Sequence, residues 1–164
     1  MRRSLAIAVL PLALAACQPG APGAGRKFTG SGMDMFTPVN VRVHPLSRLV
    51  PAAGNEPAAV QARLEFTDQF HDVTKAAGTG TFELFATAPI GRGPKLASWT
   101  VNLNDPAANH EHWDAVTRTY LFTLPLPSPS PAAAGVATER GTLAVTFTLP
   151  NGQKLTDSAA ISSH

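Results

Sequence analysis

Apolar side chains in this chain recur at every second residue over long stretches, and that period is compatible with one kind of local structure. Successive side chains of an extended strand leave on opposite faces, so strict alternation gives one face for a core and one for water. Val60, Ala62, Leu64 and Phe66 alternate with Gln61, Arg63, Glu65 and Thr67. Phe82, Leu84 and Ala86 alternate with Thr81, Glu83 and Thr87, with Phe85 as an outward-facing exception. Trp99, Val101 and Leu103 oppose Ser98, Thr100 and Asn102, while Tyr120, Phe122 and Leu124 oppose Thr119, Leu121 and Thr123. Leu143, Val145, Phe147 and Leu149 oppose Thr142, Ala144, Thr146 and Thr148. Val39, Val41 and Val43 at the start, and Leu155, Ala159 and Ile161 at the end, make two weaker strands.

Turn chemistry separates these segments. His71-Asp72 to Gly78, Pro89 to Pro94, Asn104-Asp105-Pro106 and Asn151-Gly152 all read as loops. Asn151-Gly152 between two strands is the strongest hairpin signal and predicts a type I′ turn, with positive φ at both central residues. No segment beyond the first residues carries a 3.6-residue apolar stripe. Strands joined by turns, without crossover helices, predict an all-β domain: a single antiparallel β-sandwich of about seven strands, with a closed barrel as the alternative.

The first 16 residues have the zones of a secretory signal: Arg2 and Arg3, an apolar run from Leu5 to Leu14, then Ala15 and Ala16. The run is well short of the ~20 residues that a membrane-crossing helix needs. Leu14-Ala15-Ala16-Cys17 resembles the lipobox of bacterial lipoproteins, and Cys17 is the chain's single cysteine. The resemblance implies lipidation of Cys17 by a diacylglycerol on its thiol and a further acyl chain on the new N-terminal amine. With ~0.8 kcal/mol for each buried CH₂, two or three chains hold firmly where one does not. The plainer reading is an ordinary cleaved signal that leaves a free thiol. Gln18 stands where an aspartate would retain an enterobacterial lipoprotein at the inner membrane, so that analogy favours the outer membrane.

Loss of Arg2 and Arg3 with the signal leaves eleven basic residues against eleven acidic. A formally neutral chain has no electrostatic footprint for nucleic acid. Acylation of Cys17 leaves no thiol for a disulfide or a cysteine metal site. Residues 17–35, the lipidated cysteine followed by a stretch rich in Pro, Gly and small polar residues, read as a flexible linker. Residues 36–164 read as the β-sandwich domain.

Ala62-Arg63-Leu64-Glu65-Phe66-Thr67-Asp68-Gln69-Phe70-His71-Asp72, continuing to Gly78 and Phe82-Glu83-Leu84, resembles the strand–turn–strand of bacterial immunoglobulin-like modules. There a strand ends in Asp-x-x-Gly-x-Pro; here His71 takes the place of the glycine and Val73 that of the proline. More of the chain, from Pro45-Leu46-Ser47-Arg48 through Trp99 to Asp114–Tyr120, resembles a group of uncharacterised bacterial lipoproteins. The resemblance implies an immunoglobulin-like sandwich and carries over no catalytic residue.

The chain's one cluster of coordinating side chains is Asn109-His110-Glu111-His112-Trp113-Asp114. On an extended strand His110 and His112 would project from the same side, and Asp105 or Asp114 would add an oxygen for Zn²⁺ or Cu²⁺. The plainer reading, and the one expected, is a solvated loop with Trp113 plugging one end of the sandwich, no metal and no cofactor. Asp114 and Arg118 are placed to pair, and the Tyr120 hydroxyl to bond a loop carbonyl as tyrosine corners do. Arg118 as a carboxylate or phosphate clamp is the functional alternative. Pro125, Pro127, Pro129 and Pro131 favour extended polyproline II, which suits a stiff loop or a partner's aromatic groove. No nucleophile elbow, phosphate loop or zinc-protease motif occurs. The expected function is non-catalytic: a module on a lipid anchor at Cys17 that meets the membrane and an envelope protein or polymer. The alternatives are an accessory subunit of a secretion or transport machine, and a metal- or substrate-handling protein centred on His110 and His112.

Overall fold

The computed structural model describes residues 35–88, 90–127 and 139–163. The signal segment, Cys17 and the stretch after it lie outside these residues, as do Pro129 and Pro131. Among the described residues the elements run β1 (Asn40–Val43), β2 (Arg48–Val50), β3 (Ala59–Thr67), β4 (Val73–Thr74), β5 (Thr79–Ala86), β6 (Lys95–Asn102), α1 (Pro106–Glu111), β7 (Trp113–Asp114), β8 (Thr119–Pro125), β9 (Arg140–Thr148) and β10 (Lys154–Ser162). Every segment expected from the alternation is a strand; β2, β4 and β7 are additional and short.

Two antiparallel sheets face each other. One has the order β1-β3-β8-β7, with β2 and β4 also on β3, and the other β10-β9-β5-β6. In immunoglobulin lettering these orders are A-B-E-D and G-F-C-C′, so the fold is an immunoglobulin-like sandwich. Phe66 and Phe82, buried from opposite sheets, are each fully excluded from water, as are Leu64, Leu84, Leu143 and Phe147. Phe66 on β3 meets Phe147 on β9 edge-on at 4.7 Å, and Phe82 on β5 meets Phe122 on β8 at 5.3 Å. Both contacts join the two sheets, in the inter-sheet space where antibody domains place a disulfide.

The strand β3 changes partner along one edge. Its C-terminal half pairs with β1 and its N-terminal half with β2. At the gap, Arg63 N–H donates to Ser47 Oγ at 2.9 Å and Arg63 C=O accepts from His44 N–H at 2.8 Å. Ser47 is buried there and stands in for a missing ladder group. The same edge leans on the second sheet: Asp157 Oδ2 on β10 accepts from Val43 N–H at 2.7 Å, and Leu49 forms a parallel bridge with Ser163. Asp157 occupies the inward phase that Leu155, Ala159 and Ile161 define, so a carboxylate closes the seam where an apolar side chain would leave the β1 edge unpaired.

Two local expectations change, and a third holds. The β9–β10 hairpin is not type I′. Leu149 N–H donates to Gln153 O and Gly152 N–H to Leu149 O, which makes a three-residue loop with positive φ at Gly152 alone. Pro150 causes this: its ring holds φ near −65° at the first turn position, which suits a type I turn followed by a left-handed glycine. Val39 precedes β1 and is exposed rather than part of the core. Phe85 does face outward, at a bulge between β5 and β6, and is covered by the Arg92 guanidinium 5.2 Å above its ring.

At the β3–β4 turn, Asp68 Oδ1 accepts from Phe70 N–H at 2.8 Å and Asp72 N–H at 3.1 Å. These bonds hold His71 at φ 68°, the left-handed conformation that glycine adopts freely. The strained geometry comes from the Asp68 cage, and a β-carbon at this position carries ~1 kcal/mol of steric cost. Replacing His71 by Gly is expected to raise stability by about 0.5–1 kcal/mol, while His71→Ala gives no such gain. Chemical denaturation of the two variants separates the outcomes, and equal midpoints would count against strain at this residue. In the core, Phe66→Ala and Phe147→Ala are each expected to cost about 3–5 kcal/mol. Thr67→Ala and Thr146→Ala, on the outer phase, should stay within about 1 kcal/mol of the wild type.

Candidate functional site

The chemistry singled out above gathers at one end of the sandwich, where α1 and the β7–β8 loop cap the strands. Asp105 starts the helix: its carboxylate accepts from Ala107 N–H at 2.7 Å and Ala108 N–H at 3.4 Å, with Pro106 at the first helical position. Residues 106–111 are therefore helical, not a loop or a strand. This overturns the geometry on which a His110/His112 metal site rests. Positions two apart on a helix are separated by about 200°, so the two rings leave on opposite sides.

Each candidate ligand is placed separately. His110 is exposed near the end of α1. His112 caps the helix, with its N–H donating to Ala108 O. Its Nδ1 lies 3.1 Å from Leu121 O, which requires the proton on Nδ1, and its ring packs on Phe122 at 4.7 Å. Asp105 is spent on the helix cap, and Asp114 on an arginine. Among the described residues no three His, Cys, Asp or Glu side chains come together as a metal set.

The inward residue of α1 is Asn109, which the sequence had placed only in the coordinating cluster. Its Nδ2 donates to Ala76 O at 2.7 Å and Leu103 O at 2.9 Å, and its Oδ1 accepts from the Tyr120 hydroxyl at 2.8 Å. The hydroxyl in turn accepts from Ala76 N–H at 3.1 Å. Tyr120 thus does reach loop backbone, but from β8, the E position, whereas a tyrosine corner sits at the start of F. Burial pushes its phenol above the ordinary pKa, and the bonds to Ala76 and Asn109 offset part of that rise. Trp113 packs edge-on against Tyr120 at 5.1 Å, with Lys75 Nζ 5.1 Å from the indole ring centre. It does close this end of the core.

Asp114 does not pair with Arg118. Its Oδ2 accepts from Arg63 Nη1 at 2.7 Å, while Oδ1 accepts from Val116 N–H at 2.9 Å and Thr117 N–H at 3.3 Å. Arg63 Nη1 also reaches Thr117 Oγ1 at 2.8 Å and Thr119 Oγ1 at 3.2 Å, over the fully buried Thr119. Arg118 sits at φ 55° in the loop and points its guanidinium at Val73 O, 3.2 Å away. The left-handed backbone turns its side chain from Asp114, which is why the nearer arginine in sequence is not the partner. The Arg63 guanidinium, first among the causes, and the Thr117 hydroxyl and amide hold the Asp114 carboxyl well below the ordinary carboxylate range.

Beside Arg63, on the outer face of the first sheet, Pro45, Leu46, Ser47, Arg48 and Gln61 line an open groove of about 400 Å³. Arg48 Nε donates to Gln61 Oε1 at 2.9 Å along its wall. The groove is open and mixed in character, with Pro45 and Leu46 beside the polar side chains, and its two arginines already have partners on the sheet.

In comparisons with known proteins, no family model matches the chain. No curated protein matches it either.

The depressed Asp114 carboxyl has a pH signature. A group whose folded pKa lies below its unfolded value of ~3.9 lends stability above that value and loses it as pH falls toward the folded pKa. Wild type is expected to exceed Asp114→Asn in urea midpoint at pH 6, with the gap closing as pH falls below about 4. A gap of constant size down to pH 2.5 would show that the charge of Asp114 is not what holds the loop.

Proposed function

We propose that this chain is a lipid-anchored, non-catalytic protein of a bacterial cell envelope, held by acyl chains on Cys17. On this reading its β-sandwich serves as an interaction or structural module for another envelope protein or polymer. The observation that carries the reading is Leu14-Ala15-Ala16-Cys17 directly after a short apolar run and Arg2-Arg3. A solitary cysteine at that one position is where the thiol chemistry of a lipoprotein is needed. Gln18 favours the outer membrane, by analogy with enterobacterial sorting.

A structural rather than catalytic role is supported by how the domain spends its polar side chains. Arg63, Asp114, Thr117 and Thr119 satisfy one another, and Tyr120, Asn109 and Ala76 do the same. The domain, with nine Lys and Arg against ten Asp and Glu in residues 36–164, also has no excess of positive charge for nucleic acid.

Cys17→Ser is expected to abolish metabolic incorporation of palmitate and to leave an unprocessed or soluble protein, while wild type stays with membranes through a high-salt wash. Retention of the serine variant after that wash would place the anchor elsewhere.

A further inference from the structure

The end of the sandwich from which the chain departs toward Cys17 carries four of the six large exposed apolar side chains among the described residues. Phe36 is 62% exposed, Phe70 55%, Val39 46% and Val116 93%. Hydrogen bonds tie the segments that carry them together at this end. Phe36 O accepts from Thr74 Oγ1 at 3.1 Å, Val39 N–H donates to Thr67 O at 2.9 Å, and Phe70 lies in the turn between those two strand ends. Val116 joins them through its loop neighbour Arg118, which donates to Val73 O at 3.2 Å. Of the other two, Leu46 lines the groove on the sheet face, and Ile90 sits at the opposite end in the β5–β6 connection.

Two phenylalanines and two valines left in water at one end are unusual for a domain that buries its other phenylalanines apart from the arginine-covered Phe85. The charges around them are mixed, with Lys75, His71 and Arg118 beside the exposed Asp72. Apolar contact is what the four side chains add to this small basic excess. The described chain begins at Met35, immediately before Phe36. Even fully extended, at ~3.4 Å per residue, the stretch from Cys17 to Met35 spans at most about 60 Å. An acylated Cys17 would thus hold this end near the bilayer. Four side chains that bind lipid weakly alone then act at a high effective concentration, because the second contact is intramolecular.

We propose that this end of the sandwich docks onto the lipid surface that holds the anchor, with Phe36 and Phe70 seated where headgroups meet acyl chains. Docking of this kind rests on the acylation of Cys17 proposed above. It would fix the long axis of the sandwich away from the membrane and present the β5–β6 connection and the far ends of the sheets to a partner.

The test uses the full-length protein, purified with its acyl chains and reconstituted into vesicles of phosphatidylethanolamine and phosphatidylglycerol. Val116→Cys or Ile90→Cys supplies a single thiol for an environment-sensitive fluorophore, since an acylated Cys17 has none. The Val116 label is expected to shift its emission to the blue and to be quenched by brominated acyl chains, while the Ile90 label does neither. Phe36→Ser with Phe70→Ser should abolish the Val116 response and leave the protein floating with the vesicles. A water-like Val116 label on vesicle-bound protein overturns docking, leaving this surface for a protein partner, and so does an equal response at both ends. Labelling of Cys17 itself, or failure to float, overturns the anchor first and docking with it.

Discussion

Two aromatic contacts set the spacing of the sheets, and most of the remaining structure follows from them. With one cysteine, outside the domain, no disulfide can join strands B and F. Phe66 and Phe147 take that place at 4.7 Å, and Phe82 with Phe122 repeats the contact at 5.3 Å. Such pairs contribute roughly 0.5–1.5 kcal/mol beyond the area they bury. They also dictate their neighbours. A β-carbon on Gly78 would stand 2.6 Å from the Phe147 ring and 2.4 Å from Thr148 O, and one on Gly80 would stand 3.2 Å from the same ring. Gly78, just before β5, and Gly80 within it therefore leave room for the Phe147 ring, and Gly78 does so at φ 149°. The inter-sheet contact reaches into the sequence of a strand it does not belong to.

Where the ladders fail, polar side chains complete them. Ser47 fills the break between β1 and β2, Asp157 caps the free Val43 N–H across the seam, and Asn109 satisfies two carbonyls that no strand can reach. An unpaired buried backbone group costs about as much as a lost hydrogen bond, so each of these is a point where an apolar replacement would be worse than it looks. The Arg63–Asp114–Thr117–Thr119 cluster belongs with them. It covers the polar face where β7, only two residues long, leaves β8 with little partner. Each of these groups makes a hydrogen bond at a place where the ladder leaves a backbone group or a short strand without a strand partner.

Strand positions were legible because burial on one face writes a period of two into the sequence, and Val60–Phe66 or Leu143–Leu149 carry it without interruption. The helix was not. α1 is six residues long and buries none of them fully, so it leaves no stripe, and its signal is the Asp105-Pro106 pair, which turns share. The partner of Asp114 was hidden for another reason. Arg63 and Asp114 lie 51 positions apart and meet because β3, β8 and β7 are neighbours in the sheet, whereas Arg118 is close in sequence and turned away by its own backbone. Asp157 was more accessible: a carboxylate in phase with Leu155 and Ile161 at a sheet edge is a recognisable edge-protecting device. His71 shows that a left-handed turn position can be held without glycine. Asp68 holds the left-handed turn by two backbone bonds, so the geometry survives a residue ill suited to it.

The distribution of constraint over the molecule is itself informative. Polar chemistry concentrates at the end where α1, the Asp68 turn and the β7–β8 loop converge, and there it is bound internally. Four of the six large exposed apolar side chains among the described residues stand on the same end, and three of them lie outside the strands: Phe36 precedes β1, Phe70 sits at a turn apex, and Val116 lies in a loop. None of the three lies in a strand, so a serine at any of them would leave the ladders in place. Side chains that stability does not need, placed on a surface that stability has made rigid, are what a docking surface requires. Rigid support keeps the entropy of ordering small, so modest apolar contact suffices once a tether supplies proximity.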